Sequence, residues 1–410
     1  MQKKTVGQAG GAENEVPFGA RSSALDGIRG IAIILVIAFH TLLVSQTSSP
    51  LVKFWYATWG LSWAGVDLFF TLSGFLITGI LLDSKGQPGY FRNFYARRSL
   101  RIMPLYYVVL IFSLVLVPLV AHGHLPAMFQ NLQRNQLWLW LYVQNFLMMR
   151  GPHQLPGFGH FWSLAVEEQF YWVWPLVVLA LPRKWLLRLS LAICAAEPLI
   201  RFLLLQDGFS GWAVRQLTFS RIDSLLYGAI GAILVRQATS FREHGRWLLA
   251  ACIPSLGVLG YLIFRDGYVQ YENPTTVIFG YSALAMLALT LIYYSYFDRG
   301  IVARILSAPI LRLFGRHSYA LYVFHPMIDA WWTLKYPPEV GTHNVPQAMA
   351  HFAVVFFPSC ILAWISWIAI ERPFLRMKRW FEYRDPATEN KRTPERSRRI
   401  ESRHVQESAN

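Results

Sequence analysis

Residues 24–40 read ALDGIRGIAIILVIAFH, an apolar run that opens with Asp26 and Arg29 and closes on an imidazole, His40. A run of this length and composition fits a helix that crosses a bilayer. Arg29 and His40 are eleven residues apart. At ~100° per residue that separation falls within about 20° of whole turns, so both side chains share one face, ~16 Å apart along the axis. Ionisable groups are costly in hydrocarbon and tend to face a cavity or a partner, so the shared face marks a candidate site. The plainer alternatives are that Arg29 snorkels to the membrane surface and that His40 bonds a neighbouring helix.

The same character extends through the chain. Hydrophobic residues make up 54% of its 410 positions and charged residues only 15%, which fits an all-α polytopic membrane protein. Apolar runs near 28–46, 61–82, 102–121, 163–182, 186–205, 221–236, 247–264, 275–296, 317–334 and 347–370 predict about ten transmembrane helices. The segments on one side of this pattern hold 23 Lys and Arg, and those on the other hold 6. That asymmetry predicts cytoplasmic termini and explains the net charge of +15 better than nucleic acid does. The first twenty-seven residues are polar and form a cytoplasmic tail (1–27) with no signal-peptide pattern, so the first span is also the membrane signal. Residues 28–372 form the membrane domain. The basic tail 373–410 is expected to be cytoplasmic and disordered, with anionic lipid as a contact. The apolar stretch 137–149 is too short to cross and predicts one extra interfacial or re-entrant helix. The loop 122–162 carries His122, His124, His153 and His160, without the spacing or carboxylates of a metal site, so no metal is expected. Cys194, Cys252 and Cys360 all lie in apolar runs and indicate no disulfide framework.

Polar residues inside the spans supply the candidate chemistry. Asp67 lies about two turns into the second span, with Ser73, Gly74 and Gly79 beyond it as expected packing positions. Arg97, Arg98 and Arg101 gather in a loop at the inner surface, where the third span begins. Positive-inside topology accounts for such a cluster, but Arg98 and Arg101, at i and i+3, also suit a phosphorylated ligand. Glu167 and Glu168 sit one turn inside the fourth span. Adjacent helical residues diverge by ~100°, so one faces the interior and the other a neighbour. Glu167 reaches the depth of His40, and a carboxylate beside an imidazole orients it and stabilises its protonated form. Arg221, Asp223, Tyr319, Tyr322 and His325 are further polar groups at outer or middle depth, whereas Glu197 and Arg201 read as a structural pair.

Seven segments occur in order: LDGIRGIAIILVIAFH, GVDLFFTLSGFLIT, FYARRSLRIMPLYY, FWSLAVEEQFYWVWP, RIDSLLYGA, SYALYVFHP and ERP. Together they resemble the acyltransferase 3 family of integral-membrane O-acyltransferases, in the stand-alone form without an appended hydrolase-like domain. The resemblance implies a multi-pass protein of the bacterial inner membrane. It would transfer an acyl group, acetyl above all, from acyl-CoA as donor substrate to a hydroxyl of a carbohydrate or lipid-linked acceptor, with no bound cofactor. It carries over His40 and Glu167 as catalytic, and Arg29, Arg98 and Arg101 as acyl-CoA-binding. Asp67, Glu168, Arg221, Asp223, Tyr322 and His325 are left as an acceptor or supporting site. The rival class is a transporter or flippase of lipid-linked saccharide, since a polar membrane interior serves translocation too. No internal repeat is evident to support it.

Overall fold

The computed structural model describes residues 23–42, 50–120, 127–238, 240–297, 300–336 and 344–383. The expected N-terminal tail up to residue 22, His122, His124 and the tail from 384 onward lie outside these residues. Among the described residues the chain is all-helical. Ten long helices form its frame: α1 (Ser23–Thr41), α2 (Gly65–Ser84), α3 (Tyr90–Ile111), α4 (Trp162–Ala180), α5 (Arg183–Gln206), α6 (Ile222–Val235), α7 (Phe241–Asp266), α8 (Tyr281–Phe297), α9 (Pro309–Lys335) and α10 (Val345–Ser366). Each coincides with one apolar run of the sequence. Seven helical segments, containing α1, α2, α3, α5, α7, α8 and α10, are long and apolar enough to cross a membrane. Of the others, α6 has only 14 residues, while α4 and α9 carry many of the polar side chains described below.

Boundaries depart from expectation at several places, three of which bear on the site. Helix α1 starts at Ser23, so Arg29 stands in its second turn rather than at its opening. Helix α3 starts at Tyr90, which places Arg97, Arg98 and Arg101 inside a helix and not in a loop. The short helix expected over 137–149 is two pieces, Ala127–Trp140 and Gln144–Met148. The chain turns between them at Tyr142, whose φ of 55° is left-handed; a bulky residue there ends a helix rather than continuing it.

Packing sets α1, α2 and α8 in the interior, while α5, α7 and α10 present most of their residues outward. Exposed Leu199, Phe202, Ile253, Phe264, Phe357 and Trp364 make that outer surface apolar, as a lipid-facing surface requires. Two glycine contacts draw the inner helices close. A Cβ on Gly315 of α9 would stand 1.8 Å from the Asp26 carbonyl oxygen of α1. A Cβ on Gly74 of α2 would stand 1.8 Å from the Leu225 carbonyl oxygen of α6. Only a residue without a side chain lets two backbones meet this way. Helix α10 opens with a reciprocal cap: Gln347 N–H donates to Asn344 Oδ1 (3.0 Å) and Asn344 N–H to Gln347 Oε1 (2.9 Å).

Candidate active site

The three arginines of α3 part company. Arg97 donates to the Phe381 carbonyl (3.2 Å), and its guanidinium lies 5.9 Å from the Tyr383 ring, which fastens the C-terminal segment to α3. Arg98 and Arg101, three residues apart on one face, turn instead into a cavity of about 790 Å³, its mouth included. Arg29 of α1, Ser73 of α2, Ser163, Glu167 and Tyr171 of α4, and Ser318, Tyr319 and Tyr322 of α9 complete its polar lining. Arg29 is steadied by Asp26 at 3.0 Å. The cavity thus carries three guanidinium groups from two helices, a density that topology alone does not require.

Glu167 accepts from the Tyr171 hydroxyl at 3.3 Å, and that hydroxyl also makes a short hydrogen bond with Ser73. The Arg98 guanidinium covers the Tyr171 ring at 4.9 Å. Ser73, expected as a packing residue, is therefore part of the cavity wall, while Gly74 beside it does the packing. Glu168 turns away, as its ~100° offset from Glu167 demands. It lies in electrostatic reach of Tyr106, Tyr142 and Tyr319, 5% exposed, with Oε1 unpartnered.

Beyond Tyr322 lies a group of histidines. His40 Nδ1 is 2.8 Å from the Val36 carbonyl and His325 Nδ1 is 2.9 Å from the Leu321 carbonyl. A carbonyl only accepts, so each Nδ1 carries the proton and each Nε2 keeps a free lone pair. The two rings stand 5.0 Å apart, and His160 lies 5.6 Å from His325. The Tyr322 hydroxyl meets the Ser163 hydroxyl at 2.6 Å and donates to the His160 carbonyl at 2.5 Å. Tyr322 belongs to both places: its side chain lines the cavity, and its ring lies 5.9 Å from His325.

Asp67, Arg221 and Asp223 form a separate buried network. Arg221 meets Asp67 at 2.5 Å, and its guanidinium lies 3.8 Å from the Tyr281 ring. Arg201 meets Asp223 at 2.5 Å and Glu197 at 3.6 Å. The expected Glu197–Arg201 pair is present, with Asp223 as the nearer partner.

The family model of the acyltransferase 3 group, described as an acyltransferase domain, matches residues 22–368. The chain belongs to the acyltransferase 3 family. It is 28% identical over 85% of its length to the peptidoglycan O-acetyltransferase OatA of Listeria monocytogenes, covering 55% of that protein. It is 30% identical over 85% of its length to the putative peptidoglycan O-acetyltransferase YrhL of Bacillus subtilis, covering 54% of it. A putative O-acetyltransferase of Staphylococcus aureus (strain COL) shares 28% identity over 73% of the chain and is covered over 49%. The chain spans about half the length of the curated relatives it matches. No solved structure matches it.

In this acyltransferase 3 chain the geometry gathers Arg29, Arg98, Arg101, Glu167 and Tyr322 around one cavity; His40 and His325 do not line it and stand behind Tyr322, whose ring lies 5.9 Å from His325. Asp67, Arg221 and Asp223 stand apart from that cavity lining, engaged with one another and with Arg201. His40 takes its orientation from the Val36 carbonyl one turn back, while Glu167 bonds Tyr171. Tyr171, Ser163 and Arg215 give no signal in the sequence, being ordinary residues for an interfacial, aromatic-rich chain. In the sequence His160 stands out only as one of the loop histidines. The signal that would have exposed it is its place two residues before α4, the helix that also carries Glu167.

Proposed function

We propose that the chain is an integral-membrane O-acyltransferase that moves an acyl group, most simply acetyl, from cytoplasmic acyl-CoA to a hydroxyl of a cell-envelope carbohydrate. The observation that carries this reading is the succession from three arginines, through Tyr322, to the His325 and His40 rings, each bonded to its own helix through Nδ1. Arg98 and Arg101, with Arg29 opposite, hold the phosphates of CoA through forked, charge-assisted hydrogen bonds. The thioester then lies toward Tyr322 and His40. His40 Nε2 takes the proton of the acceptor hydroxyl, the oxygen attacks the thioester carbonyl, and the C–S bond breaks. The departing thiolate regains a proton as free CoA. Glu167 holds Tyr171 and, through it, the wall beneath Arg98. The printed names of the relatives support a carbohydrate acceptor and acetyl as the group moved.

All ten helices span the bilayer in this proposal, and both termini are cytoplasmic, in keeping with the Lys and Arg distribution. Reporter fusions at positions 50, 210 and 340 then lie outside, and those at 90, 240 and 305 inside; reversal at any two rejects the arrangement. For the activity, purified protein in vesicles is given acetyl-CoA labelled in the acetyl group, with and without saccharide. Acyl transfer predicts free CoA and labelled saccharide in equal amounts. A transporter consumes no thioester, so intact acetyl-CoA in both reactions would reject the proposal.

A further inference from the structure

Arg215 stands in the short helix Gly211–Gln216 between α5 and α6 and is 5% exposed. The segment is held firmly. Ser210 caps it, Trp212 Nε1 donates to the Met148 carbonyl at 2.6 Å, and Asn145 donates to the Gln216 carbonyl at 3.2 Å. The Arg215 guanidinium lies between two aromatic faces, 5.0 Å from the Trp162 ring and 4.9 Å from the Tyr271 ring. Both faces belong to the histidine end of the site. Trp162 precedes Ser163, the partner of Tyr322, and Tyr271 meets Phe39, the neighbour of His40, edge-on at 5.4 Å. Arg215 lies in electrostatic reach of both His40 and Tyr322.

What Arg215 lacks is an anion. Its Nε is buried without a partner, and no hydrogen bond or ion pair reaches its guanidinium from any described residue. Asp67 lies in electrostatic reach, but its Oδ1 is taken by Arg221 at 2.5 Å and Ser224 at 3.3 Å, and its Oδ2 makes no bond to Arg215. The contrast with Arg201 and Arg221, each with a carboxylate at 2.5 Å, is direct. Two aromatic rings soften the burial of a guanidinium but leave its donors unused. A cation kept this far from water without a counter-ion is expensive, and such a charge is expected where a ligand completes it.

We infer that Arg215 binds an oxyanion carried by the acceptor, a carboxylate or phosphate on a saccharide, and so holds the acceptor hydroxyl against His40. The inference rests on the proposed acyl transfer and adds to it the class of acceptor: an anionic saccharide, entering from the end opposite Arg29, Arg98 and Arg101. Two cationic sites then divide the substrates, the arginines of α1 and α3 taking the donor and Arg215 the acceptor.

The test is binding to the full chain in lipid nanodiscs, by calorimetry, without acyl donor. Three probes are used: a hexuronate disaccharide, a hexose phosphate and the neutral parent disaccharide. The wild-type protein should bind one of the two anionic probes roughly ten- to a hundredfold more tightly than the neutral one. Whichever anion it prefers names the source of the charge. Arg215→Gln should erase the preference and Arg215→Lys restore part of it, since Lys keeps the charge but not the fork. Equal affinities for all three probes, no binding of any, or a preference that survives in Arg215→Gln would overturn the inference. So would a fall confined to kcat in the acylation reaction with acceptor binding intact, which would place Arg215 on the oxyanion of the reaction itself. Acetyl-CoA consumption by the wild-type protein is followed separately. Its absence counts against acyl transfer, while the binding comparison still judges Arg215.

Discussion

Two regions of this bundle bury charge, and they treat it in opposite ways. Between α2, α5 and α6, each guanidinium has a carboxylate at 2.5 Å: Asp67 for Arg221 and Asp223 for Arg201. Around the histidines, imidazole Nε2 of His325, both ring nitrogens of His160 and Nε of Arg215 are buried with no partner among the described residues. The first region answers each cation with an anion, although Asp67 Oδ2, both Glu197 oxygens and Arg221 Nε and Nη1 keep no hydrogen-bond partner among the described residues. The second keeps lone pairs and donors idle at a cost that substrate binding would offset. Both contain ionisable groups in membrane-spanning sequence, so charge within a span does not by itself separate brace from site. The pairing does.

The sharpest way to break this comparison is at His40. With His40→Gln, acylation should fall ~10²–10⁴-fold while protein abundance stays near normal, because general-base assistance is lost but the hydrogen bonding of the side chain is kept. Acceptor acylation per folded molecule measures it, and substantial activity would make His40 a brace like Asp67. The opposite pattern is expected in the closed region. Asp67→Asn strands the Arg221 cation and should cost about 3–5 kcal/mol of stability, read as a lower melting temperature and less folded protein. Asp67→Leu combined with Arg221→Met should recover most of that loss. If the double variant folds but cannot transfer, the closed network is also catalytic.

Smaller effects sharpen the donor side. Arg98→Ala and Arg101→Ala should each raise KM for acyl-CoA roughly ten- to a hundredfold, the worth of ~1.5–3 kcal/mol of charge-assisted hydrogen bonding. Lys should recover part of it. Arg97→Ala, which loosens only the C-terminal segment, serves as the control, and equal KM changes in all three would return the cluster to topology. The smallest change is Tyr171→Phe, which removes one hydroxyl between Glu167 and Ser73. It should cost ~0.5–1.5 kcal/mol, a few-fold in kcat/KM.

The helices were legible in the sequence because hydrocarbon demands long apolar runs and little else, and each run became a helix. Spacing alone did not separate Arg98 from Arg97, since Arg97 and Arg101, at i and i+4, share a face as well; the fold shows Arg98 and Arg101 in the cavity wall and Arg97 on the Phe381 carbonyl. The carboxylate partner of His40 was not legible either, because a helix can orient its own histidine through the i−4 carbonyl, and that bond leaves no trace in residue spacing. Nor was the assignment of Asp67, Arg221 and Asp223. Their closure depends on α2, α5 and α6 meeting in space, and residues 67, 201 and 223 are joined by no local pattern. Arg215 was hidden for the same reason in reverse: only the fold shows that nothing answers its charge.

Helices α1 and α9 run in the same direction, and their glycine contact and their histidines are set at equal intervals. Gly30 precedes His40, and Gly315 precedes His325, by ten residues each. A Cβ on Gly315 would also stand 3.2 Å from the Gly30 nitrogen, so this crossing of the two helices is a fulcrum with two matched arms of ~15 Å. A tilt of only about 5° around it would change the gap between the imidazoles by ~1.3 Å, on the scale that decides whether a proton transfers. Backbone-to-backbone contact at the fulcrum leaves no side chain to yield, so the arms are stiff where they need to be. A methyl group added at Gly315 would touch no substrate, yet it would be felt at the tips of both levers.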